Sequence, residues 1–289
     1  MNFEGANSPS YYVSVTNFIE RYPNFLNWTP GEDWKVYQVG PTFKYPQSVH
    51  DSQLYAYNGV FMELFIRKCL CQKFQQPLMD RFTERILNNN SYENCEIKLL
   101  LTASYLKYID PKFDAIDIVN EIKIVAMSQR LTFTEQMENV NNVMDMEVDY
   151  ANLRAIQEFI NSLPYDRLTY KQFCELSCEE LILIGVPDFI FDDSVILQVS
   201  TSMRPELYAR KCSKMFFYTL AHYYENYYHQ NLKKQYTLIV YNPLLGIRYE
   251  MTININADLF RGVHSSLEKC VKILPKFTDP TMCDHYTIM

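Results

Sequence analysis

The chain has 289 residues, with 27 Lys and Arg against 34 Asp and Glu, and a formal net charge of −7. This acidic balance excludes the basic surface that nucleic-acid binding needs, and no apolar run reaches the length that crosses a bilayer. Only seven Gly accompany 23 Tyr and 18 Phe, which favours helices packed around an aromatic-rich core. We expect a protein of the cytosol or nucleus.

Residues 1–51 are rich in proline, which breaks long helices, although a short helix near 13–21 fits the pattern. We interpret this segment as an extension that packs on a globular body, and a flexible tail is the alternative. From residue 52 onward, apolar residues recur at helical spacing. This spacing predicts five helices, at 52–74, 77–87, 95–110, 113–126 and 132–146.

The helix predicted at 95–110, CEIKLLLTASYLKYID, is apolar nearly all round. A helix of this kind is typically enclosed by other helices. We therefore expect a central core helix that brings Lys107 to the surface at its C-terminal end. The simpler interpretation is a core helix with a solvated lysine.

The second half repeats the helical plan and then changes near the C-terminus. Apolar spacing predicts helices at 153–163, 169–184, 193–202 and 205–228, with Asp192 or Asp193 as an N-cap. Residues 236–255 alternate β-branched and other residues around NPLLG, which predicts a β-hairpin. A last helix is predicted at 265–274.

Two groups of residues carry side chains that can bind a metal ion. Cys174 and Cys178 would lie one helical turn apart, but no nearby His or Cys completes a metal site, so we expect buried thiols and no metal. His222, His229 and Glu225 share a predicted helix face, and we favour a solvated face over a ligand cluster. Phosphate-binding loops, nucleophile elbows and H-E-x-x-H are absent from the sequence, so we expect no enzyme and no cofactor.

Four segments form a recognisable series: TERILN at 83–88, LLLTASYLKYID in the central helix, Met137-Glu138, and EELILIGVPDFIFDDSVILQVS at 179–200. In their order and spacing they resemble the cyclin family. The resemblance implies an all-α fold of two successive five-helix boxes. It divides the chain into an N-terminal extension (1–51), a first box (52–150), a second box (151–235), and a C-terminal hairpin and helix (236–289).

In that family a lysine and a glutamate at the mouth of the first box bind a kinase. On this match they are Lys107 and Glu138, and Tyr108 and Val148 are the apolar anchors beside them. The resemblance also places a substrate-docking patch on the first helix, although the arginine of that patch is absent here. Its residues would be Leu54, Tyr57 and Phe61.

The resemblance therefore predicts a regulatory subunit that binds and activates a cyclin-dependent protein kinase in cell-cycle control. Activation would follow from selective binding to the kinase's active arrangement. The alternative is a helical adaptor that activates no kinase and binds its partners through the N-terminal extension or the hairpin. The two hypotheses differ in whether Lys107 and Glu138 lie side by side on the surface.

Overall fold

A computed structural model describes residues 11–23, 25, 33–43, 52–77, 95–130, 148–170, 172–179, 181–202, 204, 207 and 209–273. These residues form seven α-helices and nine β-strands, arranged as two sheets. The fold is mixed α/β, so the prediction of an all-α chain of two five-helix boxes is wrong.

The helices agree with the sequence pattern in several places. They are α1 (Val15–Arg21), α2 (Ser52–Phe74), α3 (Cys95–Ile109), α4 (Val119–Arg130), α5 (Tyr150–Ser162), α6 (Ala209–Asn226) and α7 (Ala257–Ile273). The predicted helices at 52–74 and 95–110 are confirmed as α2 and α3. The last helix begins earlier than predicted, where the Asn256 side chain accepts hydrogen bonds from the first backbone amides of α7. The helices predicted at 77–87 and 132–146 lie outside the described residues.

The strands form a three-stranded and a six-stranded sheet. They are β1 (Tyr11–Ser14), β2 (Lys35–Gln38), β3 (Leu168–Tyr170), β4 (Cys174–Cys178), β5 (Leu181–Gly185), β6 (Phe189–Phe191), β7 (Val195–Val199), β8 (Lys234–Asn242) and β9 (Ile247–Ile255). The small sheet has the order β1-β5-β4, and the large sheet has the order β2-β9-β8-β7-β6-β3. The predicted hairpin at 236–255 is confirmed as β8 and β9. Helix α6 connects the parallel strands β7 and β8.

The helices predicted at 169–184 and 193–202 are wrong, because these residues form strands β3 to β5 and β7. Strand β6 and the first three residues of β7 are buried on both faces, so their apolar runs lack the alternation that identifies a half-exposed strand. Asp192 and Asp193 are turn residues with φ of 47° and 55°, not helix caps. Both lie in the β6–β7 turn, where Asn and Asp tolerate positive φ.

The six-stranded sheet separates two hydrophobic cores. One face, carrying Phe189 and Ile239, packs against α2 to α5. The other face, carrying Ile196 and Leu238, packs against α6, which also contacts β4 and β5 of the small sheet. Every residue from 212 to 223 except Lys214 is buried, so α6 is enclosed along most of its length. A Cβ added at Gly185 would lie 2.4 Å from the Tyr218 ring, which shows how closely β5 approaches α6.

Two lysines of α2 bind the C-terminal ends of neighbouring helices. Lys68 is fully buried, and its Nζ donates to the carbonyl oxygens of Lys107 (3.1 Å) and Asp110 (2.5 Å) at the end of α3. Lys73 donates to the carbonyls of three residues at the end of α5: Ile160, Asn161 and Leu163. Burial lowers the pKa of both ammonium groups. These contacts supply donors at the C-terminal ends of α3 and α5, where helix carbonyls run out of intrahelical partners and the helix dipole favours a positive charge.

We expect Lys68→Met to lower the free energy of unfolding by about 2–3 kcal/mol, because methionine fills the space but no longer donates to the carbonyls of Lys107 and Asp110. Urea unfolding of the purified chain measures the change. The control is Lys112→Met, which alters an exposed lysine just beyond α3 and should stay within about 0.5 kcal/mol of wild type. Equal stability of the two variants would show that the buried ammonium does not hold α3.

Candidate functional site

Helix α3 presents a stripe of apolar side chains to solvent. Leu99 is 63% exposed and Leu106 is 53% exposed, and Ala103 between them is also exposed. Their spacing of four and then three residues places all three on one helix face. Leu100, which is 42% exposed, flanks them. We call these four residues the leucine stripe.

The opposite face of α3 is anchored in the helical core. Leu101, Ser104, Tyr105 and Tyr108 are buried there. The Tyr105 hydroxyl lies 3.0 Å from the Ser128 hydroxyl of α4, and the Tyr108 hydroxyl donates to the Leu64 carbonyl of α2 at 3.3 Å. The expectation that α3 is enclosed on all sides is therefore wrong. This helix has one buried and one exposed apolar face.

Exposed apolar side chains are concentrated at α3. Of the ten large hydrophobic residues that are exposed in the described chain, four belong to α3 or the turn after it: Leu99, Leu100, Leu106 and Phe113. The other six are spread over several separate elements. Single exposed apolar residues are ordinary, whereas a contiguous group marks a candidate interaction surface.

The C-terminal end of α3 is polar and held in place. Lys107 is 45% exposed in its side chain and forms an ion pair with Glu121 of α4, with Nζ 2.5 Å from Oε1. In the following turn, the Asp114 carboxylate accepts hydrogen bonds from Gln72 and Gln157. Burial acts to raise the pKa of Asp114, but these bonds and backbone amides bring it below its usual value. The carboxylate therefore stays ionised and fixes the turn.

The structure describes three of the four predicted kinase-binding residues, namely Lys107, Tyr108 and Val148. Lys107 reaches the surface as expected, but its carboxylate partner among the described residues is Glu121. Tyr108 is 4% exposed and Val148 packs against the helical core, so neither is a fully exposed anchor. Glu138 lies outside the described residues, and its predicted pairing with Lys107 stays a prediction.

The predicted substrate-docking patch lies on α2. Phe61 is 3% exposed and belongs to the helical core, where its ring centroid is 6.3 Å from that of Phe65. Its side chain therefore cannot serve as an exposed docking residue. The side chains of Leu54 and Tyr57 lie outside the described part of the chain, although their backbone is helical.

His222, Glu225 and His229 do not form a shared ligand site. His222 is 2% exposed, and its Nδ1 lies 2.9 Å from the Tyr236 hydroxyl. The Glu225 carboxylate accepts a hydrogen bond from the Glu175 amide, and His229 is exposed in the 3-10 turn after α6. The favoured interpretation of a solvated face is wrong for His222, because α6 is enclosed. Burial lowers the pKa of His222 to about 4.

Cys174 and Cys178 lie on one strand, β4, and not one turn apart on a helix as predicted. Cys178 lies near His264 and Glu268 of α7, and their ligand atoms are within 4.8 Å of one another. Among the described residues this is the group whose side chains could hold a metal ion. Sequence reasoning missed it because Cys178 and His264 are 86 residues apart. The available signal was the spacing of four between His264 and Glu268, which places both on one helix face.

No protein-family model matches the chain, and searches of curated proteins and of solved structures find no match. Among the helices described here, none combines the length and the apolar character that crossing a bilayer requires.

We expect Leu106→Lys to change the free energy of unfolding by less than about 0.5 kcal/mol, because the side chain already faces solvent. Leu101→Lys, its matched partner on the buried face of the same helix, should cost more than about 3 kcal/mol because it places a charge in the core. Urea unfolding compares the two. Similar large losses for both would mean that the leucine stripe is buried.

We expect His222 to make stability depend on pH. The folded-state pKa of about 4 lies below the ordinary value of 6.5, so the unfolded chain binds the proton more tightly. The contribution is fully present above pH 6.5 and is lost as the pH falls toward 4. Between pH 7.5 and 5, wild type should lose about 2 kcal/mol more unfolding free energy than His222→Phe.

The control for this pH effect is His229→Gln, which changes an exposed histidine and should retain the wild-type pH dependence. Chemical unfolding of the three proteins at both pH values measures the difference. Identical pH profiles for wild type and His222→Phe would contradict the assignment of the effect to the buried imidazole.

Proposed function

We propose that this chain is an interaction subunit that binds a second protein through the leucine stripe of α3. The observation that carries the proposal is a helix with two apolar faces, one in the core and one in solvent. Fully burying a leucine contributes about 1.5–3 kcal/mol, so covering this stripe offers a substantial driving force for association. An apolar centre surrounded by a polar rim is typical of protein interfaces.

The stripe is held rigidly before any partner arrives. The buried face of α3 is fixed by Tyr105 and Tyr108, and Lys68 binds its C-terminal carbonyls. A surface that is already ordered loses little conformational entropy on binding. This rigidity supports a binding role for α3.

The occupant that fits best is a different protein with an apolar helix face and a net positive charge. A partner helix with residues at matching spacing can lay its apolar face along Leu99, Ala103 and Leu106. Because each copy of this chain carries a net charge of −7, two copies repel each other, whereas a basic partner is attracted. The Lys107–Glu121 ion pair would lie at the rim, where charges set orientation more than affinity.

The identity of the partner as a kinase stays a prediction from the sequence resemblance. Its proposed mechanism needs Lys107 paired with Glu138, and in the described residues Lys107 is paired with Glu121. An adaptor that activates no kinase is equally compatible with the leucine stripe. A kinase assay on the bound partner distinguishes these two roles.

The test is affinity capture with the full chain, identification of the captured protein, and measurement of its direct binding after purification. We expect the double variant Leu99→Asp/Leu106→Asp to bind the identified partner at least about 100-fold more weakly, because two anchors are lost and two charges face an apolar surface. The matched control is Leu232→Asp, which changes a leucine that is 46% exposed in the turn before β8. It should bind as wild type does.

Unchanged affinity of the double variant for that partner would overturn the proposal. Sedimentation velocity of the purified chain provides a second check on the occupant. A wild-type dimer that the double variant converts to monomer would mean that the stripe binds a second copy, which contradicts a heterologous partner.

A further inference from the structure

We propose that Cys178, His264 and Glu268 form a three-ligand site for a divalent cation of the zinc class. Cys178 is the last residue of β4, and His264 and Glu268 lie one turn apart on α7. Their ligand atoms lie within 4.8 Å of one another. The site lies in a different part of the fold from the leucine stripe and does not depend on the proposed interaction role.

The hydrogen bonding of His264 directs one ring nitrogen toward the proposed ion. Its Nε2 lies 2.9 Å from the Ser177 carbonyl oxygen, which can only accept, so Nε2 carries the proton. In the neutral imidazole, Nδ1 then presents a lone pair. A histidine that ligates a metal usually donates its other N–H in this way, to a backbone carbonyl or a carboxylate.

The lone pair of Nδ1 faces another acceptor. Nδ1 lies 3.2 Å from Glu268 Oε1, so the two ligand atoms converge on one position. A metal ion at that position would bind both atoms. For zinc, bond lengths of about 2.0–2.1 Å and a tetrahedral angle place nitrogen and oxygen ligands about 3.3 Å apart. The observed separation fits two ligands of one ion.

The third ligand decides which cations the site takes. Cys178 is a thiol that is 1% exposed, and its Sγ lies 3.7 Å from the His264 carbonyl oxygen. Sulfur, imidazole and carboxylate together favour zinc over the hard cations Mg²⁺ and Ca²⁺, which prefer oxygen ligands alone. Binding converts the thiol to a thiolate and releases its proton to solvent.

The site is closed on one side and open on the other. The His264 ring is backed by Phe260, with ring centroids 5.7 Å apart, and Phe260 stacks on Tyr224 of α6. The side chains of His264 and Glu268 are 25% and 36% exposed. Three protein ligands and an exposed edge leave a fourth position for water or a small ligand.

The test uses the full chain after chelator treatment, titrated with Co²⁺ and, in competition, with Zn²⁺. We expect one equivalent of Co²⁺ to bind with a thiolate-to-cobalt charge-transfer band that Zn²⁺ abolishes. Cys178→Ser should remove the band, and Glu268→Gln should weaken Co²⁺ binding at least about tenfold. Because Glu268 is partly exposed, its variant should fold even if a change at buried Cys178 prevents folding.

The matched control is Cys174→Ser, which changes another buried thiol of the same strand and should leave the Co²⁺ spectrum and affinity unchanged. Failure of the wild-type chain to bind Co²⁺ or Zn²⁺ would overturn the proposal and leave the His264–Ser177 hydrogen bond as a purely structural contact between α7 and β4. Binding that Glu268→Gln leaves unchanged, or that Cys174→Ser removes, would also overturn it.

Discussion

Two lysines of α2 bind the C-terminal ends of two other helices, and the helical layer depends on these contacts. Burying an ammonium group is costly unless acceptors surround it, and backbone carbonyls at the ends of α3 and α5 are such acceptors. Lys68 is fully buried between α2 and the end of α3, and Lys73 meets the end of α5. The dipoles of both helices favour a positive charge at these ends. One helix thus sets the positions of two others, and the layer they form covers one face of the large sheet.

The six-stranded sheet determines where the remaining elements pack. Its two faces carry separate cores, and α6 fills the space between the large and small sheets. Helix α3 packs on the helical core through one face only. Lys68 also binds its C-terminal end, so the opposite face is not needed to hold the helix in place. The leucine stripe on its other face is therefore compatible with a stable fold and contributes nothing to the core. An exposed apolar stripe lowers solubility and adds no packing to the core. A role in binding explains why such a stripe is present.

The sequence predicted the long helices α2, α3 and α6 and the β8–β9 hairpin, because their patterns extend over enough residues to show a period. It failed for β3 to β7, which are short and mostly buried, so that apolar runs such as LILIG fit a helix equally well. That failure removed the second helical box on which the cyclin resemblance depended. For α3, an all-apolar pattern could not reveal which face is covered, since Leu99 and Leu101 have the same chemistry. The spacing of His264 and Glu268 could suggest a pair of ligands, but Cys178 could not be added to them from the sequence, because β4 and α7 meet only in the folded chain.

The most direct test of this account is hydroxyl-radical footprinting of the isolated chain, read by tandem mass spectrometry along α3. The reagent oxidises side chains in proportion to their exposure, so adjacent leucines of one helix serve as internal standards. The account predicts strong modification of Leu99, Leu100 and Leu106 and protection of Leu101, which is 1% exposed. Equal protection of all four leucines would mean that α3 is enclosed on both faces, and the proposed binding surface would not exist.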